Sequence, residues 1–195
     1  MRKLKRLAVY CGSSDGADGA FMACAHDVGE QLARWGIAIV YGGGRVGMVG
    51  AWADGGGGAG GEVSGVIPET LVHAGLAHSG LTELHVVPDM HSRKALFTSL
   101  SDGFLTLPGG VGTMDELWEA ISWAQLGYHA KPVGVLNFAG FYEPLLAFAR
   151  HMAESGFIRP QHAGIMIARD TLPELIDAME RYEAHEPLVG AARRA

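Results

Sequence analysis

Residues 103–119 (GFLTLPGGVGTMDELWE) combine a site for an anion with side chains capable of acid–base chemistry. The apolar start, residues 103–107, predicts a buried strand, which the Pro-Gly-Gly of residues 108–110 should end. A helix is expected to begin near Thr113, with backbone N–H groups free to bind an anion. Three carboxylates follow in the predicted acidic first turn: Asp115, Glu116 and Glu119. They either complement the helix dipole or take part in chemistry.

A basic cluster upstream supplies a candidate partner for these carboxylates. Residues 90–94 (MHSRK) should open the helix that leads into this strand, so Arg93 can reach the strand ends; a solvated basic pair is the alternative. A guanidinium binds phosphate or a carboxylate through two parallel hydrogen bonds. Glu116 lies one turn beyond Thr113, so both can face one pocket. A carboxylate near an anomeric carbon can stabilise an oxocarbenium-like transition state or orient water, which favours a phosphorylated ligand.

A second glycine-rich turn, residues 42–47 (GGGRVG), matches the pattern GxGxxG after a strand and before a helix. Dinucleotide binding is disfavoured, because Glu62 precedes the next strand and Pro68 follows it, where an acidic residue is expected. A P-loop is disfavoured because Met48 stands where its lysine would be. The turn is interpreted as a backbone cradle for a phosphate or a sugar, with a purely structural turn as the alternative.

Short apolar strands alternate with longer helical segments along the chain. This alternation predicts a Rossmann-like α/β fold, a largely parallel sheet of about seven strands with helices on both faces. Strands are expected at residues 6–10, 36–41, 62–67, 83–87, 103–107, 132–137 and 165–168, and helices at residues 20–35, 46–59, 90–101, 113–127, 141–155 and 172–183. Residues 69–82 should be irregular, and Thr171 with Glu174 predicts a capping box. Ligands of such sheets bind at the carboxyl ends of the strands, where the glycine turns would meet.

Length and composition fit one globular domain, assigned to residues 1–186, with a flexible tail at residues 187–195. Apolar residues make up 48% of the 195 residues without a run long enough to cross a membrane, and the apolar part of the N-terminus is too short for a signal peptide. Cys11 and Cys24 lack disulfide or metal spacing, so a cytoplasmic protein is expected. The net charge of −6 disfavours a nucleic-acid partner, and the scattered histidines form no metal-binding pattern.

The segment PGGVGTMDE at residues 108–116, with Arg93 and Lys94 upstream and YGGGRVGMVG at residues 41–50, resembles the LONELY GUY (LOG) family. The resemblance extends over nearly the whole chain, through CGSS at 11–14, SWAQLG at 122–127, FYEPLLAF at 141–148 and SGFI at 155–158. These proteins are cytokinin riboside 5′-monophosphate phosphoribohydrolases, long labelled lysine decarboxylase-like. The resemblance implies a homodimer that hydrolyses the N-glycosidic bond of adenine-type nucleoside 5′-monophosphates to free base and ribose 5-phosphate, without a metal or redox cofactor.

The resemblance also implies roles for individual residues. Arg93 and Glu116 match the catalytic pair, although the division of roles between them stays open: Arg93 either anchors phosphate or assists the departing base. Lys94, residues 110–113 and Ser122 match nucleotide-contacting positions. With the glycine turns, the predicted substrate-binding set is Gly12, Ser13, Gly43, Gly44, Met90, Arg93, Lys94, Gly109, Gly110, Val111, Gly112, Thr113, Glu116 and Ser122.

Three features depart from the family pattern. Ser122 replaces the usual threonine but keeps its hydroxyl, Gly75 stands where a carboxylate is often found, and residues 55–58 (GGGG) replace a more helical stretch. Lysine decarboxylation is not supported, because a pyridoxal-phosphate enzyme needs a Schiff-base lysine in a cofactor site. The alternative function is a non-catalytic nucleotide or molybdenum-cofactor carrier on the same fold. The presence of both Arg93 and Glu116 favours the enzyme.

Overall fold

The computed structural model describes residues 4–74 and 77–188, so Gly75 and residues 189–195 of the predicted tail lie outside the described residues. The strands are β1 (Arg6–Tyr10), β2 (Ala38–Tyr41), β3 (Val63–Pro68), β4 (Glu83–Val87), β5 (Gly103–Thr106), β6 (Val133–Leu136) and β7 (Met166–Arg169). The α-helices are α1 (Gly19–Arg34), α2 (Gly47–Gly58), α3 (Glu69–His73), α4 (Met90–Leu100), α5 (Val111–Leu126), α6 (Glu143–Glu154) and α7 (Leu172–Glu180). Short 3₁₀ turns occur at Phe138–Gly140 and Pro160–His162.

All seven strands pair in parallel in one sheet, in the order β4-β3-β2-β1-β5-β6-β7. β1 lies at the centre, with β2 on one side and β5 on the other, where Val9 is in register with Leu105. The chain builds outwards from β1 to β4 and then returns to the other side of β1 with β5. This reversal is a topological switch point, where open α/β sheets bind their ligands. The predicted Rossmann-like parallel sheet is confirmed.

Helices cover both faces of the sheet, as predicted. On one face, α1 and α2 pack on β2 and β3 around the fully buried side chains of Tyr41 and Trp52, and α7 packs on β6 and β7. On the other face, α4, α5 and α6 pack around Phe97, Phe104 and Leu117. Because both faces are covered, the central strands are continuously apolar rather than alternating. In the described part of the chain, no helix has the length and apolar character needed to cross a bilayer.

The glycine run at residues 55–58 is helical because α1 lies against α2 backbone to backbone. A Cβ on Gly29 of α1 would lie 2.0 Å from the carbonyl oxygen of Trp52. A Cβ on Gly55 would lie 2.1 Å from the carbonyl oxygen of His26. This close packing offsets the low helix propensity of glycine, about 1 kcal/mol per residue relative to alanine.

The start of α5 differs from the sequence prediction. The helix begins at Val111 rather than at Thr113, because Gly110 already adopts the extended conformation of an N-cap (φ −99°, ψ −151°). Asp115 and Glu116 therefore lie in the second turn, and the predicted acidic first turn is wrong. These carboxylates are too far along α5 to serve mainly as partners of its N-terminal dipole.

Three smaller differences between the predicted and the observed structure concern the helices α3 and α7. The stretch predicted to be irregular contains the short helix α3 directly after β3. The hydroxyl of Thr171 lies 2.8 Å from Oε2 of Glu174, and no side-chain hydrogen bond from Thr171 caps the helix, so the predicted capping box is wrong. α7 ends at Glu180 rather than at Glu183.

Candidate active site

A cavity of about 540 Å³ lies at the switch point, beside the carboxyl ends of β1 and β5. Its walls come from the turns after these two strands, the start of α5, two residues of α4 and aromatic side chains of other segments. The predicted substrate-binding residues that line it are Gly12, Ser13, Met90, Arg93, Gly109, Gly110, Val111, Gly112, Thr113 and Glu116. The structure thus brings most of the predicted set to one place.

The turns after β1 and β5 touch through their backbones. The N–H of Gly12 donates to the carbonyl of Pro108 over 3.0 Å. A Cβ on Gly109 would lie 2.1 Å from Oγ1 of Thr113 and 2.8 Å from the nitrogen of Gly12. Position 109 must therefore be glycine for reasons of space. The contact brings Ser13 alongside the start of α5.

The first turn of α5 supplies backbone donors to the cavity. The first intrahelical bond runs from the N–H of Met114 to the carbonyl of Gly110, 3.0 Å apart. The N–H groups of Val111, Gly112 and Thr113 precede this bond and belong to the open end of the helix. Gly110 caps the helix without a side-chain hydrogen bond, so no side chain competes for these donors. Such a helix end attracts phosphate groups.

Arg93 extends from α4 into the cavity and is fixed on three sides. Its Nε donates to the carbonyl of Val66 over 3.1 Å, its Nη1 lies 3.3 Å from Oε1 of Glu116, and its Cζ lies 5.0 Å from the ring centre of Phe97. The side chain is only 14% exposed. Val66 lies two residues before the end of β3, and Arg93 lines the cavity beside the carboxyl ends of β1 and β5, so Arg93 reaches the strand ends as predicted.

Glu116 is a largely buried carboxyl group in the second turn of α5, with 11% of its side chain exposed. Burial raises the pKa of Glu116 to about 7; the guanidinium of Arg93 acts against this rise and the charge of Asp115 adds to it. A carboxyl group that titrates near neutral pH can either accept or donate a proton during a reaction.

Lys94 lies beside the cavity, outside its lining. Its Nζ is 2.8 Å from Oε2 of Glu119 and 3.2 Å from Oδ2 of Asp115, and its side chain is 12% exposed. Burial alone would lower the pKa of Lys94, but the hydrogen bonds with Glu119 and Asp115 outweigh it, so the pKa is raised. The ammonium therefore stays charged and joins α4 to α5 next to the Arg93–Glu116 pair.

Three further predicted residues are described by the structure but lie outside the lining of this cavity. Gly43 has a φ of +69° and accepts a hydrogen bond from the N–H of His78 over 2.8 Å. Gly44 forms an isolated antiparallel bridge with Ala77. These two glycines thus hold the segment that follows α3. Ser122 is exposed, further along α5.

The sequence reasoning missed an aromatic and apolar part of the lining. Phe21 of α1 and Phe141, whose ring centres lie 5.9 Å apart, both line the cavity. No sequence pattern indicates that these two distant segments meet. Met48 also lines the cavity, because a close approach brings α2 to the turn after β1: a Cβ on Gly47 would lie 2.3 Å from the carbonyl oxygen of Ser13. The glycine-rich turn at residues 42–47 was the sequence signal from which this close approach of α2 could have been predicted.

Cys11 lines the cavity but is not an activated nucleophile. Burial, followed by the negative charge of Glu116, raises the pKa of the Cys11 thiol well above its ordinary range. A thiol in this state stays protonated at neutral pH. Within residues 4–74 and 77–188, no group of three or more His, Cys, Asp or Glu side chains is placed to hold a metal ion. The carboxyl group of Glu116 is the acid–base group in this lining whose pKa lies near neutral pH.

The sequence matches the family model described as possible lysine decarboxylase over residues 49–179. A cytokinin riboside 5′-monophosphate phosphoribohydrolase of Arabidopsis thaliana is 43% identical over 180 residues, which cover 92% of this chain and 84% of that protein. A probable cytokinin riboside 5′-monophosphate phosphoribohydrolase of Oryza sativa subsp. japonica is 44% identical over 188 residues, covering 96% of this chain and 77% of that protein.

Solved structures with the same fold are more distant in sequence. The molybdenum cofactor carrier protein of Chlamydomonas reinhardtii has a TM-score of 0.68 and 19% identity, covering 92% of this chain and 98% of that chain. The molybdenum cofactor binding protein of Rippkaea orientalis has a TM-score of 0.67 and 21% identity, and the match covers 92% of this chain and 97% of that chain. These likenesses show the fold alone. From the family match and the identities above 40%, we conclude that the chain belongs to the family described as possible lysine decarboxylase, the LONELY GUY (LOG) family.

Proposed function

We propose that this protein hydrolyses the N-glycosidic bond of adenine-type nucleoside 5′-monophosphates, cytokinin ribotides among them, to free base and ribose 5-phosphate. The observation that carries the proposal is the shielded pair of Arg93 and Glu116, 3.3 Å apart, in the same cavity as the open end of α5. Relatives named as phosphoribohydrolases at 43% and 44% identity support the same reaction. The same cavity therefore offers backbone N–H donors for the phosphate of the substrate and the carboxyl group of Glu116 for its ribose.

We assign the phosphate to the glycine side of the cavity. The N–H groups of residues 111–113 lie there, next to the turn of Gly12 and Ser13. The partial positive charge of the helix end favours a phosphate at this place. Substrate contacts from the predicted residues outside the lining stay predictions: Lys94 and Ser122 rest on the family resemblance, and Gly43 and Gly44 rest on the interpretation of their turn as a backbone cradle.

We assign Glu116 to the ribose. In the proposed reaction the bond between C1′ and the base nitrogen breaks, its electron pair stays with the base, and a water oxygen bonds to C1′. Glu116 takes the proton released by the water, and the departing base takes up a proton. The carboxylate also stabilises the positive charge that develops on the sugar as the base leaves.

We assign Arg93 to holding Glu116 in place and ionised. The guanidinium already donates to the carbonyl of Val66 and faces the carboxylate of Glu116. An opposite charge at this distance favours the ionised carboxylate, which is the form that accepts a proton from water. This division leaves phosphate binding to the backbone donors of α5.

We also infer a homodimer located in the cytoplasm. Large apolar side chains are exposed away from the cavity, among them Tyr128 at 75% and Phe157 at 85%, and a second copy could cover them. Ser122 could then contact substrate across the subunit boundary. The inferred location in the cytoplasm is supported by the two cysteines, which are both unpaired, as is usual in reducing compartments. Light scattering at micromolar concentration tests the dimer, and a monomer would contradict it.

The reaction is tested by incubating the pure protein, without added metal, with AMP and with isopentenyladenosine 5′-monophosphate, and by measuring free base by chromatography. The wild type should release base, and Glu116→Ala should be slower by at least about 100-fold. Gly58→Ala, at the exposed end of α2, is the control and should match the wild type. Equal inertness of wild type and Glu116→Ala across a panel of nucleoside monophosphates would refute the proposal. Nucleotide binding without turnover would point to a carrier instead.

A further inference from the structure

The turn after β2 contains a glycine that the site described so far does not include. Gly42 directly follows Tyr41, the last residue of β2, and is partly buried. We propose that Gly42 is a positioning residue for catalysis, because its missing side chain leaves the space in which the guanidinium of Arg93 lies beside Glu116. The inference rests on the proposed function, since it concerns how the same site is held.

The space next to Gly42 is filled by Arg93. A Cβ at position 42 would lie 2.2 Å from Nη2, 3.4 Å from Cζ and 4.0 Å from Nε of Arg93. The three nearest atoms therefore all belong to one guanidinium. Non-bonded heavy atoms prefer separations of about 3.5–4.0 Å, so even a methyl group at position 42 must displace the guanidinium.

The backbone does not demand glycine at position 42. Gly43 and Gly47 have φ values of +69° and +61°, in the left-handed region that favours glycine, whereas Gly42 is not among the glycines with positive φ. An alanine at position 42 is compatible with the main-chain conformation. Position 42 thus excludes a side chain rather than requiring a special conformation.

The other contacts of Arg93 determine what a displacement would change. Nε bonds the carbonyl of Val66, and Nη1 lies 3.3 Å from Oε1 of Glu116. The ring of Phe97 lies under the guanidinium, with 5.0 Å between Cζ and the ring centre. If the guanidinium moves away from Gly42, its position relative to the carboxylate of Glu116 changes. The moving atoms form the end of a long flexible side chain, so the fold itself is disturbed little.

Six charged or titratable groups act on the ionisation of Glu116 or are acted on by it. They are Arg93 and Lys94 of α4, Asp115 and Glu119 of α5, and Tyr10 and Cys11 at the end of β1. Among these groups, Arg93 has the largest effect on the pKa of Glu116 and lowers it. Moving the guanidinium away should therefore raise the pKa of Glu116.

The test compares Gly42→Ala with Gly58→Ala, whose Cβ would meet no atom within 4 Å. With AMP as substrate, Gly42→Ala should lower kcat/KM by about 10- to 100-fold, since a misplacement of about 1 Å can cost this much. Its thermal unfolding midpoint should stay close to that of the wild type. In an Arg93→Ala background, Gly42→Ala should have no further effect on kcat/KM, because the group that it displaces is gone.

A second measurement needs no turnover. The carboxyl ¹³C resonance of Glu116, identified by its loss in Glu116→Gln, is titrated in the wild type and in Gly42→Ala. The midpoint should rise by about half a pH unit or more in Gly42→Ala. An unchanged midpoint overturns the proposal, and so does a loss of kcat/KM that persists in the Arg93→Ala background.

Folding provides the remaining check. A Gly42→Ala protein that does not fold also overturns the proposal, because the proposal requires the fold to tolerate the methyl group. If the wild type releases no base from any nucleoside monophosphate, the proposed function fails, while the ¹³C titration still decides whether Gly42 positions Arg93.

Discussion

The guanidinium of Arg93 lies 3.3 Å from the carboxylate of Glu116, and both side chains are largely shielded from water. The next residue of α4, Lys94, lies 2.8 Å from Glu119, which is one turn beyond Glu116 on α5. Two consecutive cations of one helix thus bind acids on one face of another. These ion pairs fix the register of α4 against α5, and with it the place of Glu116 in the cavity.

Ionisation of Glu116 should oppose folding. Burial raises its pKa from 4.5 to about 7 in the folded protein. The folded state therefore binds more protons than the unfolded chain between these values, and the free energy of unfolding falls as the pH rises from 4.5 to about 7. Glu116→Gln removes the ionisation, so its stability relative to the wild type should rise across this window by roughly 1–3 kcal/mol.

Urea unfolding of wild type and Glu116→Gln at about pH 4.5 and about pH 8 measures this difference. Glu154→Gln makes the same chemical change at an exposed position of α6 and should show no comparable dependence on pH. A stability difference between Glu116→Gln and wild type that is equal at both pH values would contradict the raised pKa.

Lys94→Met should raise the pH midpoint of kcat/KM. Without the ammonium, the charges of Asp115 and Glu119 act on Glu116 without their counterion, and both raise its pKa. The free energy of unfolding should fall by about 1–3 kcal/mol, because the partly buried carboxylate of Glu119 loses its partner. Rate profiles with AMP and urea unfolding measure these two effects. The double variant Lys94→Met/Glu119→Gln should recover part of the midpoint shift. If Lys94 instead binds substrate phosphate, KM rises and the midpoint does not move.

His129 should stabilise the protein above pH 6.5. Its Nε2 donates to the carbonyl of Ala120 over 2.9 Å, and its Nδ1 accepts from the N–H of Lys131 over 3.2 Å, which requires the neutral ring. Burial lowers the pKa of His129 to about 4. The stability gained is complete above pH 6.5 and is lost as the pH falls toward 4, opposite in sign to the effect of Glu116. His129→Gln cannot be protonated in this way, so its free energy of unfolding should decline less over this range. A parallel decline would contradict the assignment.

The glycines of α1 and α2 should respond to substitution by alanine in two opposite ways, depending on whether they face the other helix. Gly29→Ala and Gly55→Ala place Cβ atoms within 2.1 Å of backbone oxygens, so the helices must separate at a cost of roughly 1–3 kcal/mol or more. Gly58→Ala meets no atom within 4 Å and Gly57→Ala only the carbonyl of Gly80 at 4.0 Å, so each should stabilise α2 by up to about 1 kcal/mol. Thermal unfolding of the four variants distinguishes the two groups, and a similar effect at all four positions would contradict the packing explanation.

Part of the site could be predicted because local sequence specifies it. The apolar run of residues 103–107, ended by Pro108 and two glycines, predicts a strand and a turn whatever surrounds it. The sequence predicts a start of α5 that is two residues too late, because Gly110 caps the helix without a side-chain hydrogen bond and sequence signals for helix starts depend on capping side chains. Phe21 and Phe141 were missed because their meeting depends on how α1 packs beside the segment before α6.

Local patterns were sufficient for the parallel sheet, the glycine turns and the presence of an acid and a base near the strand ends, because hydrophobic periodicity and backbone sterics act between near neighbours in the chain. The tertiary structure alone decided that Glu116 is buried against Arg93 with a pKa near 7, that Lys94 binds Asp115 and Glu119, and that Arg93 fills the space at Gly42. These properties depend on distances between helices and on the exclusion of water, which the spacing of residues along the chain does not encode.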